Sequence, residues 1–507
     1  MFKNLRIFGL LILYALNPIF FIYTQNLSEV SLTDCINISV IFILVSSVFF
    51  LLLTIFLKIS KLKALIISII FIIIFNISEP VWNGYLYNYE DTFLSDYFEL
   101  SLLILAVFLS IIVLLTKSII KLKKTIITFE IIITIFFLSN SYKILDYYLH
   151  PDSQIKHISI SDNTISPQTN IEKKPDIVMI LFDSYPRADV LKKVYDYDNN
   201  ELIQFLKSKQ FYCVEESKSN YPSTYLSVSS LFNMQIVNDW TLPEYSKWLE
   251  YRNFNKVIQN SKSINYLRYI GYKYSVVSPG PGDIRLTGDY VFETNAQRRL
   301  NNFEIVVLNN IMFSFRIWQM RDYYEWYRLK IINQIAIFTD ANKLKGIPSP
   351  YFLYAHINCP HVPFVVSESG GEIDNKYNTR TLQAQTHKEL FLGQVKFINK
   401  KIIEIVHNLQ SLKEKPVIII ISDHGHAFWN DLNPEDSEYA SIPLRNFISV
   451  YFPDKNAQDY FYKNMTLVNL FPIIFNAYFN TDIKLSQDIS YYYKDFSKYP
   501  NSYKIFY

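Results

Sequence analysis

The chain has 507 residues, a formal net charge of +3 at pH 7, and a composition that is 50% hydrophobic and 17% aromatic. Its three cysteines, Cys35, Cys213 and Cys359, are scattered, which excludes a disulfide framework and a zinc-ribbon spacing. No nucleic-acid partner is expected. The apolar excess, which is high for a soluble protein, lies at the front of the chain.

Five apolar stretches precede residue 141 and predict membrane helices. Each is close to the ~20 residues that a helix needs to cross a bilayer, although the third and fifth are short and need flanking residues. A cleaved signal peptide would explain the first stretch alone, but not all five. The stretches are residues 5–22, 36–57, 64–77, 100–115 and 126–138.

Charges in the connecting loops predict the orientation of these helices. Basic residues lie before the first stretch, between the second and third, and between the fourth and fifth: Lys3, Arg6, Lys58, Lys61, Lys63, Lys117, Lys121, Lys123 and Lys124. The other two loops carry only acidic charges: Asp34, Glu79, Glu90, Asp91 and Asp96. Basic loops favour the cytoplasmic side, so five spans put everything after about residue 140 outside the cytoplasm. Four spans, with the fifth stretch interfacial, would leave it inside.

The pattern after the membrane region indicates a connecting segment and then a covered α/β domain. Residues 141–174 are mixed and polar, and the globular domain is expected over residues 175–507. Strand patterns at 175–182, 272–277, 351–355 and 416–422 alternate with helical patterns at 200–210 and 391–409. The aromatic stretch 302–326 predicts a helical insertion or a membrane-facing flap.

Two of the apolar strands run directly into potential metal ligands. The first, Ile177-Val178-Met179-Ile180-Leu181-Phe182, ends at Asp183; the second, Val417-Ile418-Ile419-Ile420-Ile421-Ser422, ends at Asp423-His424-Gly425. Continuous β-branched runs are typical of strands buried on both faces of a parallel sheet. Ligands gather at the carboxyl ends of such strands. Carboxylate oxygen with imidazole nitrogen suits zinc, manganese or magnesium, and Gly425 permits a tight turn there.

A hydroxyl segment and a histidine pair supply further candidates. Pro222 and Ser223 are typical of a helix start, where a hydroxyl on Ser223 or Thr224 would lie in a positive field, although either residue can be a simple N-cap. His356 and His361 flank a turn after the strand at 351–355, and they could hold phosphate, move a proton, ligate a second metal or be purely structural. Asp189 and His426 are spare ligands for a second metal, together with His361.

In combination these motifs resemble the alkaline phosphatase superfamily, and within it the membrane-bound sulfatase-like phosphotransferases. That group includes lipid A phosphoethanolamine transferases and lipoteichoic acid synthases. Asp183 matches the first acid of the group, residues 221–231 match the nucleophile region, and Asp423-His424 match the late pair. Residues 182–191 and 356–364 are similar to a bacterial branch of the group. The resemblance covers nearly the whole chain in architecture, but in residues only these motifs.

The resemblance implies a fold and a site. The implied fold is an N-terminal five-helix transmembrane bundle, residues 1–140, followed by an α/β alkaline-phosphatase-like (sulfatase-like) domain with a central, mainly parallel sheet. Asp183, Thr224, Asp423 and His424 are implied as ligands of a divalent metal, either zinc or manganese with magnesium as a third option. His356 and His361 are implied as substrate-binding residues.

The chain departs from the sulfatase pattern at the nucleophile. Sulfatases mature a Cys or Ser within Cys/Ser-X-Pro-X-Arg, whereas this chain has Asn220-Tyr221-Pro222-Ser223-Thr224, without the Cys or the Arg. A formylglycine sulfatase is therefore not expected. Threonine is the usual nucleophile of the transferases in the group, which favours Thr224 and leaves Ser223 as the runner-up.

The expected activity is transfer of a phosphoethanolamine- or phosphoglycerol-type head group. The donor is a membrane phospholipid, the acceptor is an envelope glycan or lipid, and the intermediate is a covalent phospho-threonine. The protein is expected in a bacterial inner or plasma membrane as a multi-pass protein, with its catalytic domain on the periplasmic or extracellular side. Two alternatives stay open: a phosphodiesterase or sulfuric ester hydrolase that uses the same residues, and a metal-free envelope scaffold.

Overall fold

A computed structural model of the chain divides into two compact units, which are described separately. The first comprises Met1–Ser153 with Arg298–Tyr323, and the second comprises Gln154–Gln297 with Tyr324–Tyr507. The structure describes residues 2–25, 27, 30, 32–81, 98–150, 171, 173–237, 251–278, 286–294, 303, 304, 307, 313–374, 384–426, 437–492 and 504–506.

The first unit consists of helices whose sequences are largely apolar. Its helices are α1 (Phe2–Gln25), α2 (Leu32–Leu51, continued by a π-helical turn at Leu52–Phe56), α3 (Lys61–Val81), α4 (Phe98–Leu115) and α5 (Ile119–Leu149). Among the described residues, three segments are long and apolar enough to cross a membrane: Arg6–Gln25, Leu32–Phe56 and Lys123–Leu149. The count of five spans stays a prediction.

Part of the aromatic stretch at 302–326 packs within this helical unit. Phe303 and Val307 are helical and buried, and they share an apolar cluster with Ile19, Tyr23 and Ile38 of α1 and α2. The ring of Phe303 lies 5.8 Å from that of Tyr23, edge to face.

The second unit is built on a seven-stranded sheet. The strands are β1 (Ile177–Phe182), β2 (Tyr212–Cys213), β3 (Lys273–Val277), β4 (Tyr290–Phe292), β5 (Tyr351–Ile357), β6 (Val417–Ile421) and β7 (Ile448–Tyr451). Their spatial order is β2-β7-β6-β1-β5-β3-β4. All neighbouring pairs from β6 to β4 are parallel, and β7 is antiparallel to both β6 and β2. The sheet is therefore mixed but mainly parallel, within an α/β domain. A separate two-stranded sheet pairs β8 (Ser490–Tyr492) with β9 (Lys504–Phe506).

Helices and short 3₁₀ turns connect and cover the strands. The helices are α6 (Ala188–Tyr195), α7 (Asn200–Ser208), α8 (Thr224–Asn233), α9 (Tyr251–Gln259), α10 (Lys262–Tyr269), α11 (Phe313–Thr339), α12 (Ala341–Leu344), α13 (Ala384–Ser411), α14 (Ser437–Ser441) and α15 (Leu470–Phe479). Of α11, residues 324–339 belong to this unit. The 3₁₀ turns are Ile442–Leu444, Ala457–Asp459 and Leu467–Asn469.

The core lies against the three central strands. Every residue of β1, β5 and β6 is buried, which is why the sequence of β1 and β6 is a continuous apolar run and does not alternate. Side chains of α8, α10 and α15 pack with these strands in one apolar cluster. In the register of β1, Leu181 lies opposite Ile421 of β6 and His356 of β5. The carboxyl ends of the three strands consequently meet at one edge.

Candidate active site

Three buried side chains from the ends of β1, β5 and β6 converge at this edge. Asp183 follows β1, Asp423 follows β6, and His356 is the sixth residue of β5. One ligand atom of each lies within 4.8 Å of those of the other two. Exposed fractions are 6% for Asp183, 0% for Asp423 and 4% for His356. Two carboxylates so deeply buried need compensating positive charge or hydrogen bonds, because desolvation of an unpaired carboxylate is costly.

The backbone after β1 supplies part of that compensation. Ser184 has a φ of 61°, in the left-handed region that non-glycine residues rarely adopt. Its N–H donates to Asp423 Oδ1 at 3.0 Å, and its hydroxyl donates to Asp183 Oδ1 at 2.9 Å. One residue thus serves both carboxylates. Backbone strain of this kind costs about 1–3 kcal/mol and is typically retained at functional sites.

The second oxygen of Asp423 indicates which kind of ligand would suit the cluster. Within the described part of the chain, Asp423 Oδ2 is buried and has no hydrogen-bond partner. The Nε2 atom of His424 lies 3.3 Å away, but in a geometry that does not make a hydrogen bond. A buried carboxylate oxygen beside two imidazoles and a second carboxylate is a donor set that fits a divalent cation.

His424 and Thr224 complete the group. His424 Nε2 lies 3.4 Å from Thr224 Oγ1 and 3.9 Å from Asp183 Oδ1. His424 Nδ1 lies 2.7 Å from the carbonyl oxygen of Gly425, which can only accept, so Nδ1 carries the proton. In the neutral ring, the lone pair of Nε2 therefore faces the carboxylates and the threonine hydroxyl.

The two candidate nucleophiles occupy different places at the start of α8. Thr224 is the first residue of the helix, and its hydroxyl contacts His424. Ser223 is the N-cap residue, with extended backbone, and its hydroxyl makes no capping hydrogen bond. Its carbonyl oxygen accepts from Ser227 N–H at 2.9 Å. The predicted helix start is correct, and the contact with His424 belongs to Thr224.

Gly425 is required at this site for space. A Cβ atom there would lie 2.6 Å from the carbonyl oxygen of Arg445 and 2.7 Å from that of Ile442. Its N–H donates to Pro443 O at 2.8 Å. The predicted tight turn is thus a close approach between the Asp423–Gly425 loop and the segment that leads into β7.

Ser422 ties the two ligand-bearing loops together. Its buried hydroxyl donates to Tyr185 O at 2.5 Å, in the loop after β1, and accepts from Phe447 N–H at 2.8 Å. The hydroxyl of Tyr185 in turn donates to Asn399 of α13 at 2.5 Å. Burial raises the pKa of Tyr185, so this phenol stays protonated. These contacts hold Asp183 and Asp423 at a fixed separation.

His356 and His361 both lie beside Asp183. His356 Nε2 is 3.3 Å from Asp183 Oδ2, so His356 is a candidate metal ligand, and its role in substrate binding stays a prediction. Gln334 of α11 donates to the carbonyl oxygen of His356 at 3.1 Å. The backbone N–H of His361 donates to the backbone carbonyl oxygen of Asp183 at 3.2 Å. The ring nitrogen Nδ1 of His361 lies 2.7 Å from the carbonyl oxygen of Val362.

Neighbouring charges control the protonation of the site. Burial alone would raise the pKa of Asp183, but His361, His356 and His424 together lower it far below its usual range. Burial alone would lower the pKa of His424, but the carboxylates of Asp423 and Asp183 outweigh burial and raise it. An ionised Asp183 surrounded by imidazoles is ready to bind a cation or to compensate charge in a reacting phosphoryl group.

The two remaining spare ligands, Asp189 and His426, make their described contacts with other side chains. His426 is nevertheless close enough to His361, His424 and Asp183 for their charges to act on its pKa, which burial lowers well below its usual range. Asp189 accepts hydrogen bonds from Arg187 and Arg445. The ring of His426 stacks on Phe391, with centroids 4.2 Å apart. Sequence reasoning missed Ser184 and Ser422, because a serine next to an aspartate has no distinctive pattern.

No family model and no curated protein matches this chain. Solved structures do match, at low identity. The C-terminal periplasmic domain of EcEptC from Escherichia coli has 12% identity and a TM-score of 0.43, and the match covers 67% of this chain and 96% of that one. The soluble domain of lipooligosaccharide phosphoethanolamine transferase A from Neisseria meningitidis has 11% identity and a TM-score of 0.37. That match covers 65% of this chain and 94% of the other. The lipoteichoic acid synthase LtaP from Listeria monocytogenes has 13% identity and a TM-score of 0.35. That match covers 66% of this chain and 78% of the other.

Proposed function

We propose that this protein transfers a phospho head group from a membrane phospholipid to a cell-envelope acceptor through a covalent intermediate on Thr224. One observation carries the proposal. The Thr224 hydroxyl, at the start of α8, lies 3.4 Å from His424 Nε2, and the same nitrogen is 3.3 Å from Asp423 Oδ2 and 3.9 Å from Asp183 Oδ1. A hydroxyl, two carboxylates and an imidazole at a helix N-terminus form a site for nucleophilic attack on phosphorus.

Asp183, His356, Asp423 and His424 are the residues that would hold a divalent cation. Two carboxylates and two imidazoles suit zinc or manganese better than magnesium, which prefers oxygen ligands. When bound, the cation lowers the pKa of a nearby hydroxyl and offsets charge on a phosphoryl oxygen. Thr224 lies close enough to His424 for its hydroxyl to be affected in this way.

The first chemical step exchanges one P–O bond for another. Thr224 Oγ1 attacks the phosphodiester phosphorus, a bond from phosphorus to Thr224 forms, and the bond from phosphorus to the diacylglycerol oxygen breaks. The proton released by Thr224 ends on the diacylglycerol oxygen. His361 is the proposed carrier of this proton. Its Nδ1–H donates to the Val362 carbonyl oxygen, so the other ring nitrogen, Nε2, is the atom that would accept and release the proton.

The second step returns the enzyme to its starting state. A hydroxyl or phosphate of an envelope glycan or lipid attacks the phospho-threonine, and the bond from phosphorus to Thr224 breaks. The acceptor's proton returns to the Thr224 oxygen.

The helical unit favours a lipid donor. Three of its segments are long and apolar enough to span a membrane, and anchoring raises the effective concentration of lipid substrates at the site. The alternation of basic and acidic loops favours a catalytic domain on the periplasmic or extracellular side of a bacterial inner or plasma membrane.

Substitution of the two adjacent hydroxyls tests the proposal. The full-length enzyme in detergent is incubated with a phospholipid labelled in its head group, and the label is located by peptide mass spectrometry. Wild type and Ser223→Ala are expected to carry label on Thr224, whereas Thr224→Ala carries none. Label on Ser223 in the Thr224→Ala enzyme moves the nucleophile by one residue. Full head-group release by both variants contradicts covalent catalysis from this segment.

A further inference from the structure

A buried glutamine on α13 holds the loop 360–366, which follows β5 and carries His361. The side chain of Gln394 is fully buried, and so are its apolar neighbours along the helix, Phe391 and Ile398. Burying an amide costs free energy unless its hydrogen bonds are made, so a glutamine in such surroundings has a specific partner to satisfy. The chemistry proposed above gives Gln394 no direct part.

All four hydrogen-bonding positions of this amide are used within the one loop. The Oε1 atom accepts from the N–H groups of Val365 and Val366 at 3.0 and 3.2 Å. The Nε2 atom donates to the carbonyl oxygens of Pro360 and His361 at 3.0 and 3.3 Å. A glutamine amide offers two donor hydrogens and two acceptor lone pairs, so its capacity is filled. One side chain therefore ties both ends of the loop to α13.

The backbone of His361 is held on both sides of its Cα atom. Its N–H donates to the carbonyl oxygen of Asp183 at 3.2 Å, and its own carbonyl oxygen accepts from Gln394. Phe364, in the same loop, packs its ring edge-on against that of His387 of α13, with centroids 4.7 Å apart. The place of the His361 ring relative to Asp183 therefore depends on the hydrogen bonds that Gln394 makes.

We infer that Gln394 is a positioning residue for the transfer reaction and keeps the His361 ring where it can deliver a proton to the departing lipid oxygen. The inference rests on the proposed function. In that step the bond from Thr224 Oγ1 to phosphorus forms, the bond from phosphorus to the diacylglycerol oxygen breaks, and His361 Nε2 gives that oxygen its proton. Gln394 acts through the backbone of His361. A displacement of about 1 Å at a reacting group can slow a reaction about a hundredfold.

Two donors that share a head group but differ in their leaving group test this role. One is the phospholipid, whose diacylglycerol oxygen needs a proton as it leaves. The other is a nitrophenyl phosphodiester, whose nitrophenolate leaves as a stable anion and needs none. Full-length enzyme in detergent is mixed with each donor, labelled in its head group, and the rate at which label reaches Thr224 is measured in a single turnover. The measured quantity is the rate with the phospholipid divided by the rate with the nitrophenyl donor.

Loss of the proton carrier, or of the residue that positions it, should lower this ratio. General acid–base catalysis contributes at least about a hundredfold, so His361→Gln is expected to lower the ratio by about that factor and Gln394→Met by about tenfold. The double variant should lower it no further than His361→Gln alone, because Gln394 acts through His361. Gln385→Met is the control on the same helix: it removes an exposed amide that donates to Glu389 at 3.0 Å and should leave the ratio unchanged.

The ratio separates positioning from a general structural role. If Gln394 only stabilises the fold, Gln394→Met slows both donors equally and leaves the ratio at the wild-type value, which overturns the inference while the proposed function stands. If His361→Gln leaves the ratio unchanged, His361 carries no proton and the inference falls with that step. If wild type labels Thr224 with neither donor, the proposed function fails and takes the inference with it.

Gln394→Glu keeps the test decisive if Gln394→Met does not fold. This variant keeps an acceptor oxygen for the two valine N–H groups but loses the amide donor to the carbonyl oxygen of His361. Its ratio should also lie below that of wild type, and an unchanged ratio in a folded Gln394→Glu enzyme overturns the inference.

Discussion

Replacing Ser422 by alanine removes the hydroxyl that joins the two ligand-bearing loops. The side chain is fully buried, donates to Tyr185 O at 2.5 Å and accepts from Phe447 N–H at 2.8 Å. Ser422→Ala takes away one oxygen atom and leaves a buried carbonyl and a buried N–H without this partner. Each such loss costs about 1–3 kcal/mol, so the two together should lower the free energy of unfolding by roughly 2–6 kcal/mol.

Ser449→Ala is a matched control for this change. Ser449 is also fully buried, in the neighbouring strand β7, but its hydroxyl lies 3.4 Å from the sulfur of Cys213, a weak partner. Ser449→Ala should lower the free energy of unfolding by less than about 1 kcal/mol.

Urea unfolding of the purified full-length protein, followed by fluorescence, measures both variants. Affinity for zinc or manganese should fall in Ser422→Ala, because Asp183 and Asp423 lose their common support, and stay unchanged in Ser449→Ala. Equal stability and equal metal affinity in the two variants would refute the role assigned to Ser422.

Two further predictions concern the surroundings of the site. Gly425→Ala should lower the free energy of unfolding by more than about 2 kcal/mol and weaken metal binding, because the added Cβ would meet the carbonyl oxygens of Arg445 and Ile442. Gly346→Ala is the control: Gly346 has open space around it, so its free energy of unfolding in the same assay should change by no more than about 0.5 kcal/mol. Burial lowers the pKa of His387 to about 4, below the 6.5 of an unfolded chain. Stability from this group is therefore complete above pH 6.5 and is lost as the pH falls toward 4, so His387→Phe should reduce the loss between pH 7 and pH 5 by about 1 kcal/mol. Identical acid profiles for His387→Phe and wild type would contradict that assignment.

The central part of the sheet could be predicted from sequence because its strands are buried on both faces. The runs that became β1 and β6 are continuous and apolar, and β3 and β5 were placed within one or two residues of their observed bounds. Strands β2, β4 and β7 were not predicted. They have two to four residues each, which is too short for a periodic pattern, and their pairing depends on tertiary contacts.

The candidate site was predictable where a residue type ends a strong strand, as Asp183 and Asp423 do. The position of His356 within reach of Asp183 depends on the order β6-β1-β5, which no local pattern encodes. The link from Ser422 to Tyr185 and the sharing of Asp189 by two arginines join segments more than two hundred residues apart. Reactive residues at the ends of strong strands can therefore be predicted from sequence. The long-range contacts that position them can be identified only from the folded structure.

The metal content of the purified full-length protein shows whether Asp183, His356, Asp423 and His424 hold a cation. After exposure to zinc or manganese and removal of the excess, wild type should retain about one divalent ion per chain. Asp423→Asn should lose it, because the substitution changes the buried carboxylate oxygen that has no hydrogen-bond partner in the described structure. Asp459→Asn, at a position in the 3₁₀ turn Ala457–Asp459, should retain it. If the wild-type protein binds neither metal, or if Asp423→Asn binds as well as wild type, these residues are not a metal site.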